Sequence, residues 1–218
     1  MMLTYDLYWS FRSPYSYFIA GRLRALEETF ELQCNVRPIF PIAVRTPEFF
    51  ESRDPLWFSY FMADIRREAE FLGLPLQWPR PDPVYRAPDG SYPKEQPHIH
   101  RLTYLGVAAA ERGRGLPFLD EVSRLIWSGE TTDWHEGDHL RLATERAGLD
   151  YGELMSAVEA DPGRYRAIVE ESQAAQRAGG HYGVPMMVFD GEPFFGQDRF
   201  DQLKWRMEQK GLKRRALP

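Results

Sequence analysis

Hydrophobic and polar positions alternate at the start of the chain and then change period. In "LTYDLYW", Leu3, Tyr5, Leu7 and Trp9 occupy every second position, which is the period of a β-strand. From Pro14 the apolar residues recur at three- and four-residue steps, which places one apolar stripe along a helix. The stretch "LQCNVRPIF" then alternates again. A strand, a helix and a strand in this order predict a βαβ unit with parallel strands.

The middle of the chain carries a helical period. From Thr46 to Gly179 the apolar positions repeat at helical steps, and "PLWFSYFMADIRREAEFLG" ends at Gly73, a residue type that often terminates helices. Asp150 and Glu153 have the spacing of a helix capping box. Between helices, "LPLQWPRPDPVYRAPDGSYP" is interrupted by prolines and predicts a loop without a helix. The segment as a whole predicts an all-helical insertion.

The chain returns to strands near its end. "VPMMVFDGEPFFG" predicts a hairpin, since Asp190-Gly191 between apolar runs favours a tight turn. "QDRFDQLKWRMEQKG" predicts a final helix with Asp198 as a candidate cap. Strand, helix, strand, helical insertion, hairpin and helix form the thioredoxin arrangement with an insertion in its centre. We therefore predict an α/β fold with two domains. Residues 1–45 and 180–218 form the thioredoxin-like domain, and residues 46–179 form the inserted helical domain.

Charge and composition narrow the classes of function. The net charge is −5 and no block of lysine and arginine is long, which argues against nucleic-acid binding. No apolar run approaches the roughly 20 residues of a membrane span, and the N-terminus lacks the basic start of a signal peptide. Cys34 is the single cysteine, which excludes an internal disulfide and a C-x-x-C pair, and its alternating segment predicts a small buried side chain. We expect a cytoplasmic protein without nucleic-acid or membrane partners.

Two histidine clusters carry metal-capable side chains. His98 lies beside His100 in one, and His135, Asp138 and His139 form the other. Neither cluster supplies a closed ligand set such as H-E-x-x-H, and both fall in predicted loop or helix surface. We predict no metal site.

Ser13 lies where the first strand meets the first helix, and its role has two interpretations. Serine before proline is a helix start signal, with Ser13 at the N-cap and Pro14 at the first helical position. The same hydroxyl could instead face a substrate. The residues alone leave both interpretations open.

Three motifs carry a family resemblance. "SPYSY", "GVP" and "FFGQDR", in that order, resemble the 2-hydroxychromene-2-carboxylate isomerases and the related kappa-class glutathione transferases, and more distantly the disulfide oxidoreductases of the DsbA type. The stretches "FLGLPLQWP" and "LIWSGETTD" are similar to the same family, so the resemblance spans essentially the whole chain. It implies a thioredoxin fold with a helical insertion, glutathione as cofactor, and a homodimer.

The resemblance implies a role for Ser13 in holding a thiolate. Ser13 stands where a dithiol oxidoreductase has its attacking cysteine, and a serine hydroxyl does not exchange disulfides but can donate a hydrogen bond to a thiolate that another molecule brings. The N-terminus of a helix also favours an anion. In the resembling family the Val184-Pro185 bond is cis, and the backbone of Val184 pairs with the cysteinyl part of glutathione.

The ends of glutathione are assigned to two further places by the resemblance. Gln197 and Asp198 precede the final helix, where Asp198 could accept the γ-glutamyl ammonium; an aspartate there is also an ordinary N-cap, and both roles stay open. The family often has a lysine that reaches the glycyl end, yet this sequence has no lysine from residue 31 to residue 93. Arg45 and Arg53 are the possible replacements.

Two other positions are candidates for contact with the thiolate or the substrate. The family usually has an apolar residue in place of Arg12, whose guanidinium either approaches the thiolate or a substrate carboxylate or points to solvent. Trp57, Phe58, Tyr60 and Phe61 share the first helix of the insertion. We predict that most of these aromatic residues belong to the core, and that Tyr60 or Trp57 faces the cleft and stacks on a flat aromatic substrate.

Together these features imply a glutathione-dependent isomerase of the 2-hydroxychromene-2-carboxylate type, acting on a small aromatic carboxylate. A kappa-like glutathione transferase, or another thiol-dependent protein of the DsbA family, is the alternative within the same chemistry. A non-catalytic thioredoxin-fold module, which captures an extended peptide at the edge marked by Pro185, is the alternative from a different class.

Overall fold

A mixed four-stranded sheet forms the centre of the computed structural model, which describes residues 2–50 and 53–216. Strand β1 (Leu3–Trp9) runs parallel to β2 (Leu32–Pro38) and antiparallel to β3 (Met186–Phe189), and β4 (Glu192–Phe195) pairs with β3 at the edge. The strand order β2-β1-β3-β4 confirms the predicted thioredoxin-like α/β fold.

The connection between β1 and β2 is helix α1 (Pro14–Thr29), which begins where the sequence predicts. The backbone N–H of Ser16 donates to Ser13 Oγ at 3.2 Å, so Ser13 is the N-cap, and Pro14 is the first helical residue. This geometry satisfies one of the free amides that every helix N-terminus leaves. The hydroxyl of Ser13 is thereby held at the point where the sheet passes into the helix.

The hairpin between β3 and β4 is also confirmed. Asp190 and Gly191 form its turn with φ of 52° and 78°. Two consecutive positive φ angles are the signature of the tight hairpin turn that Asp-Gly favours.

Between β2 and β3 the chain is helical, as predicted. Helix α3 (Pro55–Leu72) ends at Gly73 in the left-handed region, Asp150 Oδ1 accepts the N–H of Glu153 at 2.8 Å, and residues 74–96 contain no helix. The first helix of this region begins at Ile42, four residues before the predicted start of the insertion. The helices are α2 (Ile42–Arg45), α3 (Pro55–Leu72), α4 (Pro97–Glu111), α5 (Gly115–Trp127), α6 (His139–Arg146), α7 (Tyr151–Ala160) and α8 (Pro162–Ala178), with a 3₁₀ turn at Pro47–Phe49.

The prediction that Asp198 caps the last helix is wrong. A 3₁₀ turn (Gln197–Arg199) precedes α9 (Phe200–Gln209), so the position before the helix is Arg199, whose side chain makes no capping bond. The Asp198 carboxylate instead pairs with Arg199 Nη1 at 3.0 Å. The 3₁₀ turn moves the helix start past the aspartate, which sequence spacing does not reveal.

One hydrophobic cluster joins the sheet to the insertion. It contains buried side chains of β1 and α1 together with side chains of α3 to α8. The Nε1–H of Trp127 on α5 donates to the carbonyl of Phe11 at 2.9 Å, and the Phe118 ring meets the Phe11 ring edge to face at 6.1 Å. The two predicted domains therefore share a core beside the segment that leads to Ser13.

Helix α3 is less buried than its composition suggests. Ile65 and Ala69 are its buried residues, whereas Phe58 is 59 % and Tyr60 64 % exposed. The prediction that most of its aromatic residues belong to the core is therefore wrong, because this helix covers a cavity instead of filling one. Within the part of the chain that the structure describes, no helix is both long and apolar enough to cross a membrane.

Candidate functional site

A cavity of about 800 Å³ opens at the N-terminus of α1. Its walls come from both predicted domains, so neither half of the chain forms it alone. The contributing segments are the start of α1, α2 with the following 3₁₀ turn, the first two turns of α3, the loop around residues 86–92, and the loop at residues 181–184.

Ser13 and Val184 meet at one side of this cavity. Ser13 Oγ lies 3.4 Å from the carbonyl oxygen of Val184, and both residues line the cavity although 171 positions separate them. The Val184-Pro185 bond is cis, as the resemblance implied. The Pro185 carbonyl accepts the N–H of Gly196 at 2.9 Å and Pro185 itself is not part of the lining. A hydroxyl, a helix N-terminus and the half-buried backbone of Val184 thus converge at one side of the cavity.

The charged lining of the cavity is cationic. Among the described residues it contains Arg12, Arg45, Arg53 and Arg86, and no aspartate or glutamate. The chain as a whole carries a net charge of −5. A cationic site with low-dielectric walls in an acidic protein selects for an anionic occupant.

Arg12 neither points to solvent nor remains free for a thiolate. Its guanidinium forms a bidentate ion pair with Asp82, with Nε–Oδ1 at 3.1 Å and Nη2–Oδ2 at 2.8 Å. It also lies over the Trp78 ring at 4.9 Å, and Trp78 Nε1–H donates to the same carboxylate at 3.2 Å. Arg12 therefore fixes the proline-rich loop against the start of α1.

Arg45 differs from Arg12 because all of its hydrogen-bond acceptors are neutral. Its guanidinium donates to the carbonyls of Phe40 at 2.7 Å and Tyr182 at 3.0 Å, and to Gln176 Oε1 at 3.4 Å. Burial, and secondarily the positive charge of Arg177, lowers the pKa of Arg45 to about 10. Three acceptors leave part of its five-donor fork unused at the cavity. This geometry suits the capture of a carboxylate.

Arg53 and the aromatic walls complete the cavity. The Arg53 guanidinium lies 3.7 Å over the Phe49 ring, and Trp57 stacks on Phe61 at 5.4 Å with nearly parallel planes. Of the two aromatic candidates, Trp57 lines the cavity, and Tyr60 points away from it towards Arg67. Flat apolar walls of this kind suit an aromatic ligand.

Gln197 and Asp198 lie outside the cavity. Gln197 is buried, its Nε2–H donates to Glu68 Oε2 at 2.6 Å, and its Oε1 accepts from Arg22. The Arg22 guanidinium also donates to the Gln197 backbone carbonyl at 3.1 Å. The structure therefore brings Ser13 and Val184 together, while these two predicted contacts belong to a neighbouring polar cluster.

His181 is a cavity residue that the sequence analysis missed. It accepts the N–H of Gly183 at Nδ1 with a distance of 2.8 Å, and its ring stacks on Phe195. Burial lowers its pKa. The available signal was its place three residues before Val184 in "HYGVP", a motif that the resemblance used only for Val184 and Pro185.

Of the histidines singled out as metal-capable, His98 and His135 form an aromatic cluster with Trp134, whereas His100 packs against Phe40 and Tyr104. The His98 ring lies 4.7 Å from the His135 ring, and both contact Trp134. Throughout residues 2–50 and 53–216, no group of three or more histidine, cysteine or acidic side chains has the arrangement of a metal site. Burial, followed by the nearby His135 and Arg101, lowers the pKa of His98.

We expect acid to destabilise the protein through His98. Because the folded state lowers the pKa of His98, the unfolded chain binds the proton more tightly, and the free energy of unfolding falls as the pH drops below the ordinary histidine value. Urea unfolding at pH 7.5 and 5.5 measures this loss, and the His98→Gln variant should lose less than the wild type between the two values. An equal loss in both proteins would contradict the assignment.

Comparisons with known proteins agree with this architecture. A curated 2-hydroxychromene-2-carboxylate isomerase from Sphingobium xenophagum is 29% identical over 208 residues, which cover 94% of this chain and 97% of the relative. The solved structure of a 2-hydroxychromene-2-carboxylate isomerase superposes with a TM-score of 0.68 at 20% identity, over 95% of this chain and 96% of the other. The cytosolic disulfide reductase DsbM from Pseudomonas aeruginosa superposes with a TM-score of 0.62 at 17% identity, over 95% and 98%.

These matches confirm the resemblance inferred from "SPYSY", "GVP" and "FFGQDR". The prediction of an enzyme agrees with a curated relative that is an isomerase. The family model described as "DSBA-like thioredoxin domain" matches residues 4–208, which is nearly the entire chain. The chain belongs to the family of DSBA-like thioredoxin domains.

Proposed function

We propose that this protein is a glutathione-dependent isomerase of the 2-hydroxychromene-2-carboxylate type. The observation that carries the proposal is the position of Ser13: a hydroxyl occupies the N-cap of α1, beside the Val184 carbonyl, at the wall of a cationic and aromatic cavity. The isomerase relative, which matches over nearly its full length, supports the same reaction class.

Ser13 is proposed to stabilise the thiolate of bound glutathione. When the sulfur lies at the mouth of α1, the Ser13 hydroxyl turns from its long contact with Val184 and donates to the sulfur. The free amides and the macrodipole of α1 favour the same charge by roughly 0.3–1 kcal/mol, and more where the site is partly buried. Each unit of pKa corresponds to about 1.4 kcal/mol, so hydroxyl and helix together account for about one or two units of thiol acidification.

The cavity accounts for the proposed substrate. The parallel rings of Trp57 and Phe61 give a flat apolar wall, while Arg45 and Arg53 face the space with cationic groups. An aromatic carboxylate satisfies both features at once. A peptide that binds as an added strand needs a free strand edge for its backbone hydrogen bonds, and an aromatic, arginine-lined cavity does not serve that purpose.

The reaction proposed for this site leaves glutathione unchanged. The cyclic hemiketal of the substrate opens first: its ring C–O bond breaks, the hydroxyl proton passes to the phenol oxygen, and an unsaturated 2-oxo acid results. The thiolate then adds to the conjugated double bond, forming a C–S bond and moving the π electrons onto the ketone oxygen. The former double bond rotates as a single bond, and elimination of the thiolate restores the double bond with new geometry. The protein contributes the charge of its cavity and the hydroxyl of Ser13.

Cys34 takes no part in this proposal. It lies in β2, away from the cavity lining, and burial raises the pKa of its thiol well above the usual value. A thiol kept protonated is a poor nucleophile. The sulfur that reacts is therefore proposed to come from the bound cofactor.

A cytoplasmic homodimer is proposed as the working form. A free cysteine and a need for reduced glutathione both suit a reducing compartment. The outer face of α3 exposes Leu56, Tyr60 and Phe71 by 75 %, 64 % and 82 %, and an apolar face of this kind favours contact with a second copy.

Removal of the Ser13 hydroxyl tests the proposed function. In Ser13→Ala we expect the thiolate absorbance of bound glutathione at neutral pH, and kcat/KM for 2-hydroxychromene-2-carboxylate, to fall by about 10–100-fold. The variant also loses a helix cap, which costs about 0.5–2 kcal/mol. Ser13→Gly removes the hydroxyl while glycine costs the cap only a few tenths of a kcal/mol, so it separates the two effects.

Asp150→Ala is the matched control for lost capping. Asp150 caps α7, far along the chain from Ser13 and outside the cavity lining, and its removal should lower stability without changing the thiolate absorbance. If Ser13→Gly keeps full thiolate absorbance and full activity, the proposed role of Ser13 is refuted. If glutathione binds and is consumed in a conjugate instead of being regenerated, the protein is a kappa-like transferase.

A further inference from the structure

His181 lines the cavity, and its ring is held in place by one hydrogen bond and two stacking contacts. Its residue lies in the loop between α8 and β3, and Gly183 N–H donates to Nδ1 at 2.8 Å. Its ring stacks on Phe195 with centroids 3.8 Å apart and on Tyr182 at 4.7 Å. These contacts fix the orientation of the imidazole before any ligand enters.

The backbone hydrogen bond determines the tautomer of His181. Because Nδ1 accepts a hydrogen bond from the Gly183 N–H, the proton of the neutral ring resides on Nε2. A charged imidazolium would direct a second proton against the Gly183 amide and lose this bond. Burial acts in the same direction, since it lowers the pKa of His181. No hydrogen bond to Nε2 occurs among the described residues, so Nε2–H is available to an occupant of the cavity.

Gly183 makes this arrangement possible. A Cβ at this position would lie 2.6 Å from Phe195 Cζ and 3.0 Å from His181 Cε1, which is closer than side chains pack. The missing side chain lets the loop fold tightly enough to press His181 against Phe195. The next residue, Val184, carries the carbonyl that contacts Ser13. The imidazole is therefore fixed by the same turn that places the Val184 carbonyl beside Ser13.

We propose that neutral His181 donates a hydrogen bond from Nε2 to the substrate oxygen that becomes negative when the thiolate adds. This inference rests on the proposed isomerase function. The sulfur electron pair forms the C–S bond, the π electrons of the conjugated system move onto the carbonyl oxygen, and the proton stays on His181 throughout. Elimination returns the electrons to the double bond and the thiolate leaves.

A neutral imidazole is suited to this task because its donor is aimed at a charge that develops only during the reaction. A preorganised donor of this kind stabilises the transition state more than the ground state, and a histidine whose pKa is lowered by a backbone amide is an established way to keep such a donor neutral. The carboxylate of the substrate is charged before and after the reaction, so it needs a permanently charged partner. Arg45 is the residue that provides this charge. The two residues thus act on different charges.

Two substitutions separate the donor of His181 from its role in the loop. His181→Asn can place its amide oxygen where Nδ1 accepts Gly183 N–H, but it has no donor at the Nε2 position. His181→Gln reaches the Nε2 position with an amide N–H. In His181→Asn we expect kcat for 2-hydroxychromene-2-carboxylate to fall by about 10²–10³-fold, with KM and the thiolate absorbance of bound glutathione unchanged. The kcat of His181→Gln should lie between those of His181→Asn and the wild type.

The outcomes distinguish this inference from the proposed function. Full kcat in His181→Asn overturns the role of His181 alone. Equal losses in both variants together with lost thiolate absorbance overturn it as well, since His181 would then only hold Val184 in place. A wild-type protein that neither binds glutathione nor isomerises the substrate overturns the proposed function and this inference together. The ¹⁵N NMR spectrum of His181 without ligand is an independent readout: protonation at Nδ1 contradicts the donor geometry.

Discussion

Replacing Arg45 by methionine is expected to weaken the binding of an aromatic carboxylate by about 10–100-fold. The guanidinium of Arg45 is held by three neutral oxygens and lies at the cavity, where burial lowers its pKa to about 10. A hydrogen bond to a charged group contributes about 1.5–3 kcal/mol, and each 1.4 kcal/mol is a factor of ten in affinity. Titration calorimetry with 1-naphthoate, in the absence of glutathione, measures this effect without depending on turnover.

Two further variants sharpen the interpretation of Arg45→Met. Arg45→Lys keeps the charge but loses the planar fork, so its affinity should fall less than that of the methionine variant. Arg177→Met is the matched control, because Arg177 is exposed, lies outside the cavity and lowers the pKa of Arg45 by charge repulsion. Its removal should leave carboxylate affinity unchanged or slightly lower, because Arg45 is protonated at neutral pH with or without Arg177. A loss in Arg177→Met as large as in Arg45→Met would show a general field effect instead of a contact.

The sequence pattern correctly predicted those parts of the fold that depend on residues close together in the chain. The alternation in β1, the serine–proline start of α1 and the Asp190-Gly191 turn each depend on residues adjacent in sequence, and each is confirmed. Asp198 shows the limit of this approach. Its spacing from the apolar stripe suits a cap, but a 3₁₀ turn intervenes, and no local propensity specifies which of the two turn types forms.

The cavity depends on contacts between distant segments, which one sequence does not reveal. The sequence suggested that the charge of Arg12 is available to a ligand. In the fold, however, Arg12 forms an ion pair with Asp82, which is 70 positions away in the chain. Arg45 became a candidate only as a replacement for a missing lysine, and its neutral surroundings could not be inferred. His181 was missed because its orientation depends on Gly183 and Phe195, which meet only when the hairpin closes over the loop.

Replacing Trp127 by phenylalanine is expected to lower both stability and activity. Trp127 and Phe11 are both fully buried, and the variant leaves the Phe11 carbonyl without its 2.9 Å hydrogen bond. An unsatisfied buried carbonyl costs about 1–3 kcal/mol. Phe11 precedes Ser13 by two residues, and a displacement of about 1 Å at a reacting group can lower the rate by about 10²-fold. Urea unfolding measures the first effect, and the thiolate absorbance of bound glutathione measures the second.

Trp134→Phe is the matched control for the loss of an indole hydrogen bond. Trp134 Nε1–H donates to the Pro81 carbonyl at 2.8 Å; Trp134 is buried like Trp127, but its acceptor residue Pro81 is half-buried, so water can replace part of the lost bond. We expect a smaller loss of stability and an unchanged thiolate absorbance.

The difference between the two variants follows from what surrounds Ser13. Trp127 meets Trp78 edge to face at 5.5 Å, and Trp78 donates to Asp82, which holds Arg12. Trp127 therefore supports the segment before Ser13 from the side of the insertion, while Trp134 contacts the proline-rich loop together with His98 and His135. If Trp127→Phe lowers stability yet leaves the thiolate absorbance intact, the insertion stabilises the fold without positioning Ser13.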